Sequence, residues 1–267
     1  RTVSPFSAYI TDEKEELMKQ KVPCWKRLRW WGFLPLFFLL TLLGAGRAAA
    51  ANFDIKPIKI FLDPQTKIEK LVLKNLSEDD LTVQIKAYQW SQNEKGQDIY
   101  QETRDIIIFP KLATIKKEEE KIIRIGTNLT PGAAEKTYRI FVEEIPGAEK
   151  VENKGSTIRM YMKIGVPLFF APLNKEEKGT IEAVNFKKDK AEITVRNQGN
   201  LHFMVAAVQI KGEDRQGKEV FSKEINGWYI LSGLSRSYEL PFPQNLCRNL
   251  GRLEVLVKTN NNTVFKE

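Results

Sequence analysis

Thiols and imidazoles are scarce in this 267-residue chain, which has two cysteines, Cys24 and Cys247, and one histidine, His202. A single histidine excludes every multi-histidine metal site. Cys247 has neither a second cysteine nor a histidine near it in sequence, so a primed thiol nucleophile is not expected. Glu143 and Glu144 are adjacent and fall on opposite faces of a strand, which argues against a catalytic carboxylate pair. No phosphate-binding loop is present. These absences point away from an enzyme and imply no metal or other cofactor. His202, in the sequence GNLHF, is expected to pack or hydrogen-bond rather than to bind a ligand.

A long membrane-spanning run is also lacking. The apolar stretch 30–43 is shorter than the roughly 20 residues a spanning helix needs, and Pro35 interrupts it. Lys26, Arg27 and Arg29 precede it, and Gly44-Ala45-Gly46-Arg47-Ala48-Ala49-Ala50-Ala51 follow. A basic segment, an apolar segment and small residues form the pattern of a secretory signal peptide, with cleavage expected after Ala50 or Ala51. No cysteine stands directly after that stretch, so lipid attachment there is not expected. Residues 1–17 lack a starting Met and an apolar pattern, and Met18 stands where a natural start would leave an ordinary basic segment. That first stretch is expected to carry no function. Once Cys24 leaves with the leader, Cys247 is the only thiol and no intrachain disulfide can form, even in an oxidising compartment. Folding must then rest on core packing.

The formal charge of +8 suggests nucleic acid only until it is partitioned. Residues 1–51 hold eight of the 42 Lys and Arg and four of the 34 Asp and Glu, so the leader and the remainder each carry +4. In the remainder the two signs are interspersed, as in KKEEEK at 116–121, the pattern of a solvated turn or face. No nucleic-acid partner is expected.

From Phe53 onward helical periodicity is absent, and short apolar runs alternate with turn signals. Strands are expected at 55–62, 68–74, 82–90, 105–109, 121–125, 138–145 and 157–170. Seven strands in about 120 residues fit an immunoglobulin-like sandwich. After Ala171-Pro172-Leu173-Asn174 a second, smaller set is expected at 179–186, 190–197, 202–211, 219–225, 237–241 and 251–258. The fold class is thus all-β, two immunoglobulin-like domains after a leader, with bounds 1–51, 52–172 and 173–267. The short connection restricts the angle between the domains, and the cleft between them is the natural place for a ligand.

One strand stands out. From 157 to 168, Ile158, Met160, Met162, Ile164, Val166 and Leu168 alternate with Thr157, Arg159, Tyr161, Lys163, Gly165 and Pro167. Twelve residues at about 3.3 Å each reach nearly 40 Å, about twice the usual strand. Pro167 cannot donate to a ladder, which places it at a sheet edge or a bulge. A long apolar edge is a template for another chain's strand, and it also gives the free protein a route to self-association. The alternative is the inward face of an ordinary sandwich strand, in an exported structural or adhesive module.

In order and spacing, several segments resemble the periplasmic pilus chaperones of the chaperone/usher pathway. KPIKIFLDPQTKIEKLVLKN, with Lys59 and Asn75, resembles the first two strands of that family. IIIFPKLATIKKEEEKIIRI, with Pro110 and Arg124, resembles its middle, and EKTYRIFVEEIPG its strand ending in Glu144, Ile145 and Pro146. TIRMYMKIGVPLFFAP occupies the place of its donor strand, and VRNQGNLHF resembles a strand and turn of its second domain. The resemblance implies two immunoglobulin-like domains set in an L. It also implies a periplasmic protein that lends its strand to pilus or fimbrial subunits until an outer-membrane usher takes over. Ile158, Met160, Met162, Ile164 and Val166 would form the lent row. The family also places two cations in the cleft to hold the subunit's terminal carboxylate. Lys59 matches the first, while Pro167 occupies the position of the second and Ala171 that of an arginine common before the closing proline. Lys163, four residues before Pro167, is the candidate replacement.

Overall fold

The computed structural model describes residues 53–93, 95–146, 160–243, 250–260 and 264–266, so the leader, Ile158 and Cys247 lie outside the described residues. Every regular element among them is a strand. Alternation is the cause: in β3 (Ile68–Asn75), Leu71, Leu73 and Asn75 are buried while Lys70, Val72 and Lys74 face outward.

The first sandwich has one sheet in the order β1 (Phe53–Lys56), β3, β8 (Glu120–Thr127), β6 (Ile106–Phe109). The facing sheet runs β2 (Ile60–Leu62), β10 (Lys163–Phe170), β9 (Lys136–Glu144), β4 (Leu81–Gln92), β5 (Asp98–Glu102), and β7 (Leu112–Ile115) pairs with β4 beside β5. Leu71, Leu73, Ile123 and Ile125 meet Val83, Ile85, Ile140, Val142, Val166 and Leu168 between the layers. Each such side chain, fully buried, contributes about 1.5–3 kcal/mol, which is how this sandwich, whose residues include no cysteine, is held.

The second sandwich packs β11 (Gly179–Lys187), β12 (Lys190–Asn197) and β16 (Ser235–Pro241) against a larger sheet. That sheet runs β14 (Glu219–Asn226), β13 (Phe203–Glu213), β17 (Arg252–Thr259), β18 (Val264–Lys266), and β15 (Tyr229–Ile230) also pairs with β13. Ile193, Val195, Val208, Ile210 and Val257 form its core. Both sandwiches share a device at the end of an early strand. Asn75 Nδ2 donates to the carbonyls of Asp79 and Ile115 at 2.8 and 2.9 Å, and Asn197 Nδ2 donates to those of Leu201 and Ile230 at 2.7 and 3.0 Å.

Two strands differ from the sequence expectation. The run 55–62 is not one strand: it breaks at Pro57, β1 pairing with β3 in one sheet and β2 pairing in parallel with β10 in the other. Pro57 has no N–H for a ladder, so the chain crosses between layers there. The expected strand 157–170 is paired only over Lys163–Phe170 among the described residues, and 160–162 lie outside it. β10 is therefore of ordinary length. Strands β5, β7, β15 and β18 were not expected from periodicity; they are at most five residues long and bury few side chains.

Candidate functional site

β10 is where the first sandwich leaves backbone groups open. On one side it pairs with β9 along its whole length, from Lys163 opposite Glu143 to Phe170 opposite Lys136. On the other side β2 covers only Leu168, Phe169 and Phe170. Residues 163–167 thus present a free edge among the described residues, and Pro167, which has no N–H, sits where that edge begins.

The apolar row of this strand changes role along its length. Val166 is 2% exposed and belongs to the sandwich's own core. Ile164 and Met162 are half-buried against that core, and Met160 is 80% exposed. Met162 N lies 3.2 Å from the Glu144 carboxylate, and its carbonyl accepts from Glu144 N at 2.9 Å. The side chains therefore emerge from the core toward solvent in the direction of the chain's earlier residues. Ile158, the first of the row, falls outside the described residues.

Where β10 runs into the second sandwich, a cleft of about 290 Å³ opens, with Lys59, Phe61, Phe169, Lys175 and His202 in its walls. Its floor is aromatic. The ring of His202 lies on Phe169, and Phe61 stacks on Phe169 with centroids 5.6 Å apart. His202 Nδ1 and its backbone N–H meet Glu135 Oε2 at 2.7 and 2.9 Å, so the expected packing and hydrogen-bonding roles of His202 are both filled. Lys59, on the segment entering β2, places Nζ 5.5 Å from the centroid of Tyr229.

The junction beneath the cleft is fixed by side chains from both sandwiches. Trp90, Phe169, Tyr229 and Leu231 form a separate buried cluster. Gln92 donates to the Tyr229 carbonyl at 2.9 Å and accepts from Leu231 N–H at 3.2 Å, and Asp98 accepts from the Trp228 indole at 2.9 Å. The Arg139 guanidinium lies 4.7 Å from the Trp90 ring and 5.8 Å from that of Trp228. Its Nε and the Trp90 indole N–H are buried without a hydrogen-bond partner. The cation–π contacts offset part of the cost of burying that charge.

Of the two expected cleft cations, only Lys59 lines the cleft. Lys163 pairs with Glu143 at 2.5 Å and lies 4.6 Å from the Phe141 ring, on the outer face of β10. Lys175 was missed by sequence reasoning, because the run Lys175-Glu176-Glu177-Lys178 reads as a solvated connection. Opposite it, hydrogen bonds from the backbone N–H of Thr66 and Gln65 hold the Asp63 carboxyl below the usual range, with Lys175 adding to the effect. Among the described residues no cluster of three or more His, Cys, Asp or Glu could hold a metal ion, and no helix is long and apolar enough to cross a membrane.

Comparison with known proteins places this geometry. Residues 52–175 match the family model for the pili and flagellar-assembly chaperone, PapD N-terminal domain. No curated protein sequence matches the chain significantly. Among solved structures, the chain is similar to one of a CsuC–CsuE chaperone–tip adhesion subunit pre-assembly complex from archaic chaperone-usher Csu pili of Acinetobacter baumannii. Identity is 19%, 81% of this chain and 98% of that chain are covered, and the TM-score is 0.59. It is also similar to the YadV chaperone, at 13% identity, 81% and 98% coverage and a TM-score of 0.54. A structure of Salmonella enterica SafA pilin with the SafB chaperone matches at 12% identity, 82% and 97% coverage and a TM-score of 0.51. These likenesses establish the fold.

Proposed function

We infer, for a chain that belongs through residues 52–175 to the PapD-type pili and flagellar-assembly chaperones, that it captures pilus or fimbrial subunits by lending them the free edge of β10. The observation that carries this reading is the combination of an unpaired edge at 163–167 with an apolar row that leaves the core at its end. An incomplete subunit would add its strand to this edge. Main-chain hydrogen bonds would supply affinity, and Ile158, Met160, Met162 and Ile164 would fill alternate pockets. Val166 would fasten the lent strand to the chaperone's own core.

Burying three of these side chains contributes about 1.5–3 kcal/mol each, more together than a charge-assisted hydrogen bond at about 1.5–3 kcal/mol. Affinity therefore rests on the row, while an end anchor sets register, since a two-residue slip keeps the same face inward. Lys59 is the proposed anchor, with the subunit's terminal carboxylate as its partner. Export by the leader places the protein in the periplasm, where an outer-membrane usher would receive the subunit. That solved relatives are chaperones in complex with a tip adhesion subunit or a pilin supports the partner class. Without a subunit, the same edge is open to a second copy of the chain.

The test is co-purification from periplasm with identification of the bound protein. A subunit-like partner lost with Met160→Asp supports the reading. A wild type that binds no such protein when pilus subunits are co-expressed overturns it.

A further inference from the structure

The outer face of β10 is bare at one point of its free edge. Val166 is buried in the core and Ile164 packs on it, so Lys163, Gly165 and Pro167 face outward, opposite Glu143, Phe141 and Arg139 of β9. Lys163 carries a long side chain and Pro167 a ring, while Gly165 carries nothing. The space above Gly165 is taken by its neighbours on β9: an added Cβ would stand 3.0 Å from Phe141 Cε1 and 3.1 Å from Arg139 Nε. The Phe141 ring thus leans over β10, in room that any other residue at 165 would fill.

That ring is held in place. Tyr88 and Tyr100 meet it edge to face with centroids 5.6 and 5.2 Å away, and the Lys163 ammonium, paired with Glu143, stands 4.6 Å from its centroid. Tyr100 on β5, Tyr88 on β4 and Phe141 on β9 form an aromatic row across the outer face of the sheet, and the row ends over Gly165. A ring fixed beforehand gives up little freedom when a partner covers it. A strand added to the free edge would lie about 4.8 Å beyond β10. Its outward side chain opposite Gly165 would meet the Phe141 ring across bare backbone. Opposite Lys163 or Pro167 it would meet a side chain of β10 instead.

We propose that Gly165 and Phe141 form a notch that takes one large apolar side chain, best an aromatic one, from the strand added to β10, and so fixes the register of that strand. This deepens the chaperone reading above and rests on it. The two faces of the lent strand then do different work: the row from Ile158 to Ile164 enters the subunit, and the notch on the opposite face receives a side chain from it. A slip of two residues leaves the inward face unchanged, yet it moves the subunit's large side chain off Gly165 and onto Lys163 or Pro167. An aromatic occupant continues the row of rings, since ring pairs add to the area they bury. Arg139, the other wall of the notch, lays its guanidinium over Trp90 and Trp228.

The test uses the full chain with 15N-labelled amides and 13C-labelled phenylalanine rings, followed by NMR. The probes are the peptides acetyl-Thr-Val-X-Val-Thr-amide with X as Phe, Leu, Ala or Asp, which match the free edge 163–167 in length and place X at its middle. The expected result is that the amide signals of 163–166 move with the peptides and that X as Phe binds about fivefold tighter than X as Ala, the size of a good cross-strand pair. Leu should fall between them. The ring of X should show nuclear Overhauser contacts to the Phe141 ring and to the Gly165 α-protons, a readout of register that needs no variant. Phe141→Ala should bind the Phe and Ala peptides alike, and so should Gly165→Ala, which keeps every ring and only displaces that of Phe141. Equal affinity of the wild type for the two peptides, tighter binding of the Asp peptide, or contacts from X to Lys163 or Pro167 overturns the notch and leaves strand lending standing. If no peptide moves the edge amides, strand addition at β10 fails and the notch fails with it.

Discussion

The imidazole of His202 lies flat on the ring of Phe169, with centroids 3.5 Å apart and planes 7° from parallel. Phe169 belongs to β10 of the first sandwich and His202 stands just before β13 of the second, so the stack joins the two sandwiches at the foot of the cleft. Glu135, also from the first sandwich, holds the imidazole from its edge.

His202→Ala should therefore lower stability by about 2 kcal/mol, because it removes a stacked ring and leaves the buried Glu135 carboxylate short of a donor. His202→Phe should keep the stack and lose only the hydrogen bond, so it should fall between the two. Urea unfolding followed by tryptophan fluorescence would rank the three proteins. Equal midpoints for wild type and His202→Ala would show that the stack contributes nothing to holding the junction.

Val166 and Met160 lie on the same face of one segment yet differ from buried to exposed. Val166→Asp should unfold the first sandwich, since an unpaired charge in its core costs several kcal/mol. Met160→Asp should leave circular dichroism and melting unchanged while abolishing subunit capture. If Met160→Asp melts as early as Val166→Asp, the row is core along its whole length and the strand-lending reading fails.

The all-β class and the two sets of strands were legible because one-sided burial writes a period of two into the sequence, as at Leu71 and Leu73 or Ile140 and Val142. The break at Pro57 was visible as a proline but not as a change of sheet. Ile55 before it and Ile60 after it are both buried in one core that the two sheets share. Lys59 was found through resemblance to the family's first strand. Lys175 was not, because its place depends on Asn200, 25 residues later, folding back on the connection. The engagement of Lys163 by Glu143 is likewise a cross-strand pairing that no local pattern announces.

Asn75 has no exposed surface, and its side chain bonds to Asp79, Ile115 and Ser77. Asn75→Ala would take a donor from the buried Ile115 carbonyl and an acceptor from the Ser77 N–H, so a loss of about 1–3 kcal/mol is expected. Asn197→Ala should cost a similar amount in the second sandwich, where the Leu201 and Ile230 carbonyls lose a donor. Guanidinium titration with each sandwich followed by its own NMR amide signals would locate the loss. Uniform destabilisation of both sandwiches by either substitution would show that the two unfold as one unit.

Alkaline pH provides a separate handle on the cores. Burial pushes the Tyr238 phenol from an ordinary 10.0 up to about 12. Tyr138 is pushed up as well, first by burial and then by its hydrogen bond to Asp105 at 2.6 Å. The unfolded chain releases these protons near pH 10, while the native protein still holds them. Their stabilising contribution is thus complete below pH 10 and declines as pH rises above it. For Tyr238 the loss reaches roughly 2 kcal/mol by pH 12. Tyr238→Phe and Tyr138→Phe should each flatten the fall in stability between pH 9.5 and 11, and the double variant should flatten it most. Titration of the surface lysines is common to all these proteins and cancels in the comparison. Urea unfolding at several pH values would give the slopes. Parallel profiles for wild type and the double variant would mean that both phenols ionise in the folded protein as readily as in the unfolded one, contrary to their burial.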